Sequence, residues 1–409
     1  MNAAPNSDAP VWRHVNFRRF WLVRIGSMGA FQMQVVATGW LIYDLTGSAL
    51  DLGLVGLVQF IPRVALTLWA GALADRHDRR RITLACLLAQ FAACGALAAG
   101  AWMQALTREH IFALVGLLGA ARAFEMPALQ SMLPRLVPTL LLPRALALSS
   151  AATQTAIIGG PALAGAIFLA GAATVYAVAT LAFLAAAALT LRLPRSVPQH
   201  DTGTATDRSL FAGLRYVRSQ PVMLGAISLD LFAVLLGGAT ALLPIYARDI
   251  LRVGPGGLGL LQAAPAVGAL AMSIVLSHRP LGGAIGRKLF GSVALFGLGT
   301  IVFALSTSFA LSLAALCLLG AADSVSVVIR QTLVQLETPD AMRGRVSAVN
   351  AVFIGASNQL GEFESGVAAA HPNQLLVKMF PVRLPDFLTP QQSAKQRYRC
   401  IYHKWRKCH

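Results

Sequence analysis

Apolar windows long enough to cross a bilayer recur along almost the whole chain, the first beginning near Phe20. A hydrocarbon core of ~30 Å asks for roughly 20 apolar residues per helix. Lipid offers backbone N–H and C=O groups no partner, so each crossing segment must satisfy its own by coiling into a helix. Eleven windows are read, at about 20–44, 52–74, 82–104, 111–134, 144–170, 174–192, 222–247, 257–277, 288–307, 310–336 and 346–369. Only 12% of the residues are charged, against about 25% in a soluble domain. The run from Phe20 is too long for a signal-peptide core and residues 1–16 are polar, so the first helix is expected to stay as a membrane anchor.

Short polar connections separate the windows, except for the stretch Leu193 to Gln220, which holds Pro194, Pro198 and Gly203. It reads as a flexible hinge between two bundles. The expected organisation is an N-terminal six-helix bundle over 1–192, a cytoplasmic linker over 193–221, a second bundle over 222–370, and a basic tail over 371–409.

The net charge of +17 would point to nucleic acid in a soluble protein. Its distribution argues for topology instead. With the N-terminus inside, one side collects Arg13, Arg18, Arg19, Arg76, Arg79, Arg80, Arg81, Arg135, Arg144, Arg192, Arg195, Arg208, Arg215, Arg218, Arg279, Arg287, Lys288, Arg343 and Arg345. The other side holds Arg108, Arg248 and Arg252. The positive-inside rule places the N-terminus in the cytoplasm. The expected partners are lipid, a small molecule and protons, with no nucleic acid.

The two halves repeat one another. At an offset of 203, Ile42, Tyr43, Gly53, Gly56, Leu57, Gln59 and Pro62 match Ile245, Tyr246, Gly256, Gly259, Leu260, Gln262 and Pro265. At an offset of 201, Gln130, Pro138, Arg144, Ala147, Gly160 and Gly165 match Gln331, Pro339, Arg345, Ala348, Gly361 and Gly366. An even number of spans separates the copies, so both keep one orientation. Parallel repeats about an axis along the membrane normal are a transporter plan, with the site between the halves near the midplane.

After the second window comes Gly71-Ala72-Leu73-Ala74-Asp75-Arg76-His77-Asp78-Arg79-Arg80-Arg81. This resembles the signature between the second and third helices of the major facilitator superfamily, except that Asp78 stands where a glycine is usual, so the turn must be made differently. Gly160-Pro161-Ala162-Leu163-Ala164-Gly165 resembles that superfamily's antiporter motif, with Ala164 replacing a glycine. Glycines there loosen the helix and permit close helix contact. The segments Phe17–Trp21, Gly39–Gly47, Arg343–Ser347 and Gly361–Gly366 are similar to a bacterial branch holding the enterobactin exporter and multidrug exporters. The resemblance implies an all-α membrane protein of two parallel six-helix bundles. It further implies export of siderophore-like or drug-like molecules by proton antiport across a bacterial inner membrane, as a monomer. The proton gradient is the energy source and no cofactor is expected. A gating role for Gly71, Asp75, Arg76, Arg79, Arg80 and Arg81 is likewise implied by the resemblance.

Ionisable residues deep in a span are costly and default to functional candidates. Arg122 and Glu125 share a face of the fourth window, as do Asp323 and Arg330 in the tenth. Arg122 and Asp323 occupy equivalent depths in opposite halves, and could pair in one conformation. Asp230 is the lone carboxylate best placed for proton coupling, with Glu125 its competitor. Arg63 is deep enough to contact an anionic or catecholate cargo, while Arg24 is expected to snorkel. Packing alone is the alternative for each of these charges. Cys86, Cys94 and Cys317 lie in apolar windows at no metal or disulfide spacing, and are expected to be small buried hydrophobes.

The superfamily has twelve spans, and the stretch after Ala370 departs from it. His371 to His409 carries eight basic residues, one acid and four prolines, and a twelfth helix replaced through a frame change or rearrangement is expected. An importer or uniporter on the same fold, or a truncated non-transporting protein, are the competing readings. No metal cluster or Ser-His-Asp grouping in the windows suggests an enzyme.

Overall fold

The computed structural model describes residues 11–194, 210–236, 239–278, 285–338 and 343–370. It is helical throughout that range, and α1 (Val15–Thr46), α2 (Ala49–Arg76), α3 (Arg79–Trp102), α4 (Arg108–Met132), α5 (Leu142–Ile167) and α6 (Ala172–Thr190) form the first bundle. The second contains α8 (Pro221–Leu236), α10 (Gly254–His278), α11 (Ile285–Leu305), α12 (Phe309–Glu337) and α13 (Arg343–Ala370). The single turn α9 (Leu243–Ile245) runs into a π-helical turn, Tyr246–Ile250.

Ten of the eleven apolar windows fall on a long helical stretch; the window at 222–247 covers α8 and then, past two residues outside the described range, the short helical turns from Ala239 on. Among the described residues, nine stretches are long and apolar enough to cross a membrane by length and composition. The two long helices outside that set, α1 and α13, are also more polar. They carry Gln32, Gln34 and Thr38, and Asn358, Gln359, Glu362 and Glu364.

The turn with Asp78 where glycine is usual needs no glycine. His77 ends α2 in an extended conformation, φ −121°, and the Asp78 side chain accepts from the Arg80 amide at 3.0 Å as N-cap of α3. A capping carboxylate satisfies one of the orphan amides at a helix start. After α1 the chain does require glycine: Gly47 takes φ 61° and its amide closes on the Tyr43 carbonyl.

The stretch expected to be a flexible linker contains a short helix, α7 (Leu210–Ser219). Its sequence sets Leu210, Leu214 and Val217 along one stripe at helical spacing. Val217 packs with Met223, Ile227, Val346 and Val349, and the Tyr216 hydroxyl donates to the Glu337 carbonyl at 2.6 Å. Residues 195–209 lie outside the described residues, as does everything from His371 on, including the expected replacement of a twelfth helix.

Packing follows the repeat. In the first bundle α2 packs on α4, α3 on α4 and α1 on α5; in the second their counterparts α10 on α12, α11 on α12 and α8 on α13 do the same. Between bundles, α5 packs on α10 and α13 on α2. A β-carbon on Gly165 would lie 3.0 Å from the Gly259 Cα, and one on Gly366 would lie 3.0 Å from the Gly53 Cα. Of the glycines shared by the two halves, Gly53, Gly56, Gly165, Gly256, Gly259 and Gly366 therefore let the bundles touch, while Gly160 and Gly361 pack against α1 and α8 within their own bundles. All sit toward the rim that carries few arginines, where α2 and α10 begin and α5 and α13 end.

Candidate transport site

A buried polar cluster occupies the first bundle. Arg122 Nη1 meets Glu125 Oε2 at 2.8 Å, with side-chain exposures of 4% and 0%. Gln90 of α3 donates to the same oxygen at 2.8 Å. The Arg122 guanidinium stacks 4.8 Å from the Phe31 ring centroid and touches the Met28 sulfur. A charge in lipid is tolerable when paired and enclosed in this way. The Arg122–Glu125 pair expected from the shared helix face is thus formed. Arg122 does not reach Asp323 here, because its guanidinium is turned onto α1 and its own helix.

Arg24 does not snorkel as expected. Its Nε donates to the Thr153 hydroxyl of α5 at 2.9 Å, and it lies within electrostatic reach of Arg122 and Glu125. A hydroxyl one helix away holds the side chain inside the bundle. Arg63, on the exposed side of α2, feels Arg122 in turn. Arg24 and Arg122 therefore lie within reach of the Glu125 carboxylate, and Arg63 lies within reach of Arg122.

In the second bundle Asp323 lines a small cleft with Ser292, Phe296, Ala322 and Ser326. Arg330, buried, sits two turns along α12 and interacts with Asp323 electrostatically. Asp230 falls on α8, but its side chain lies outside the described residues. The side chains of Asp75 and Arg76 of the loop motif, and the surroundings of Gly71, likewise lie outside the described residues.

The remaining motif arginines brace helix ends. Arg79 donates to the Ser131 carbonyl near the end of α4 at 2.9 Å, and Arg80 to the Leu191 carbonyl just past α6. Arg81 is exposed. Cations at helix C-termini satisfy the last carbonyls and complement the dipole. In α5, Pro161 lies within a continuous helix; a β-carbon on Gly160 would press the Gln32 side chain of α1. Close packing, Gly160 against α1 and Gly165 against α10, is what these small residues provide.

At the arginine-poor rim, sequence reasoning missed a cross-bundle latch. Arg248 Nη1 pairs with Asp44 at 2.8 Å and lies 5.6 Å from the Tyr43 ring centroid, while the Tyr43 hydroxyl donates to Asp249. Arg248 and Asp249 sit in the π-helical turn, a local distortion that often marks functional positions. Glu362 was missed too. It faces Gly56 across the α13–α2 seam, where a β-carbon would come within 2.7 Å of its Oε2. The repeat held the signal, since Glu362 is the offset-201 counterpart of Pro161. No group of three metal-ligating side chains occurs among the described residues.

Comparison with known proteins supplies the context. The sequence profile of a family described as a transmembrane secretion effector matches residues 6–377. The chain is 28% identical over 348 residues to the enterobactin exporter EntS of Citrobacter koseri, covering 82% of this chain and 81% of that one. Its fold is similar to that of a bacterial homolog of the human lysosomal transporter Spinster in an inward-facing, unoccupied conformation. That match has TM-score 0.67 at 13% identity and covers 88% of this chain and 83% of the other. A D-xylose–proton symporter gives 0.64 at 14% identity, covering 90% and 92%.

Proposed function

Because this chain belongs to the transmembrane secretion effector family of the major facilitator superfamily, we propose that it exports small molecules from bacteria by proton antiport. It is a multi-pass membrane transporter and not an enzyme. The proposal adds direction, energy source and cargo class. It sets the N-terminus in the cytoplasm of the inner membrane and the protein at work as a monomer.

The observation that carries the reading is the pair of glycine seams. Like-oriented bundles meet through α5–α10 and α2–α13 at the arginine-poor rim. With the arginine-rich rim in the cytoplasm, that contact shuts the outer side. Parting the seams and closing the opposite ends would deliver cargo outward, which is alternating access by rocking of two repeats. The motif arginines at the cytoplasmic rim would then steady the closing ends.

Cargo class follows from the charges on the first bundle. Arg24 and Arg122 beside Glu125, with Arg63 within reach of Arg122, leave an excess of positive charge that favours a molecule carrying carboxylate or catecholate groups, the chemistry of a siderophore such as the one for which the relative is named. Glu125, held by Arg122 and Gln90, orients the wall; Asp230 on α8 is proposed to relay protons, with Asp323 and Arg330 as its partners in the second bundle.

The test is efflux of a panel of dyes, drugs and catecholate siderophores from cells making the protein. Energy-dependent loss of at least one catecholate, abolished by a protonophore, is expected. Inward accumulation would turn the reading to an importer, and no movement with the protein present in the membrane would favour a non-transporting one. Asp230→Asn should abolish proton-coupled efflux in vesicles, and unchanged coupling would remove Asp230 from the pathway.

A further inference from the structure

We propose that Glu362 couples closure of the α2–α13 seam to uptake of a proton, an inference that rests on the antiport reading above. The two seams are related by the repeat, so their contacts can be compared position by position. In the α5–α10 seam the Pro161 backbone carbonyl faces Gly259. In the α2–α13 seam the counterpart of Gly259 is Gly56, and the counterpart of Pro161 is Glu362. The first seam is sealed by neutral backbone. The second places a carboxylate in the same niche.

The niche is made by glycine. A β-carbon on Gly56 would lie 2.7 Å from Glu362 Oε2 and 3.0 Å from Gln359 Oε1, so any larger residue would expel the acid. Gly53, one turn away, is pressed by the Phe363 backbone, and Gly366 by Gly53 itself. The Gln359 side chain, one turn back on α13, lies beside Glu362 within the seam.

Charged groups on the elements packed around it do not neutralise it. On α2, Asp51 is bound to Arg108 at 2.8 Å, and Arg63 lies seven residues beyond Gly56, about 10 Å along the helix. On α8, against which Gly361 packs, the ionisable group is Asp230. On α13 the nearest is Glu364, which is exposed. Among the described residues no cation pairs with Glu362.

Glu362 is half-buried, and a carboxylate ion held against a helix seam without a cation is less favourable than the carboxylic acid. The closed seam therefore favours the acid form, and the parted seam exposes the group more fully to water, which favours the ion. Closing binds one proton to the carboxylate oxygen. Loss of that proton toward the arginine-rich side leaves a charge that drives the seam apart again. One proton thus crosses per cycle, opposite to the cargo.

The test measures seam closure directly. Spin labels go on Leu45→Cys and Ala369→Cys, both exposed at the arginine-poor rim, with the native cysteines replaced by alanine. Distances are read by pulsed electron resonance in nanodiscs across a pH series. The closed-to-open ratio should rise with acid by up to about tenfold per pH unit, the limit for one linked proton. Glu362→Gln should be closed and flat across the series, and Glu362→Asp should restore the dependence. A Glu362→Gln protein that titrates like the wild type, or a wild type that does not titrate, overturns the proposal. Proton flux accompanying ethidium efflux in inside-out vesicles, measured separately, tests the antiport reading. Titrating closure without that flux would sink antiport and leave the seam linkage standing.

Discussion

Gly165 on α5 approaches Gly259 on α10 so closely that a β-carbon on the first would fall 3.0 Å from the Cα of the second. Backbone meets backbone here, so no side chain can swing away to make room. Gly259→Val should oppose the closed seam rather than unfold either bundle, because the clash exists only between them. Overpacking of this kind costs ~1–3 kcal/mol, so the closed form should be depleted roughly tenfold or more. Increased reactivity of a cysteine at the arginine-poor end of α10 toward an impermeant reagent would register it. Unchanged reactivity with unchanged transport would show that the seam is not used.

Removing one member of the Arg122–Glu125 pair should damage the fold itself. Arg122→Ala leaves the Glu125 carboxylate enclosed with only Gln90, and breaking a buried pair this way costs ~3–5 kcal/mol. The doubly substituted Arg122→Ala, Glu125→Ala protein should be more stable than the Arg122→Ala protein alone. Thermal unfolding in detergent checks the order; a double variant below both singles would contradict it.

The latch at the rim should be weak by comparison. Arg248 and Asp44 are 39% and 51% exposed, and exposed pairs contribute ~0–1 kcal/mol. Asp44→Asn should shift the spin-label distance distribution by less than about fivefold, with the wild-type difference fading at high salt. A larger, salt-insensitive shift would mean the pair does more than electrostatics allow.

Asp78 gives a test of local structure. Replacing an N-cap carboxylate by alanine costs ~1 kcal/mol, by glycine only a few tenths. Asp78→Gly, which returns the position to the usual residue of the superfamily, should therefore melt close to the wild type, and Asp78→Ala clearly lower. Equal losses in both would implicate a contact other than the cap.

Much of this was legible in the chain. Periodic apolar windows dictate membrane helices because lipid leaves the backbone no other partner, and the two offsets give parallel halves without any coordinates. Arg122 and Glu125 were findable as a pair because three residues on a helix fix a shared face. Arg24 was not, since its hydroxyl partner lies 129 positions away on α5. Nor was Asp78 as a cap, because that role depends on the backbone turning extended at His77.

Sequence alone therefore determined what every helix must satisfy for itself: length, apolarity, like orientation of the halves, and which small residues recur in both. Only tertiary structure decided which partner each polar group found, because those partners are brought together across helices distant in the chain. It also turned the repeated glycines from a pattern into two seams. In one of them Pro161 meets glycine as neutral backbone, and in the other Glu362 meets it as an acid.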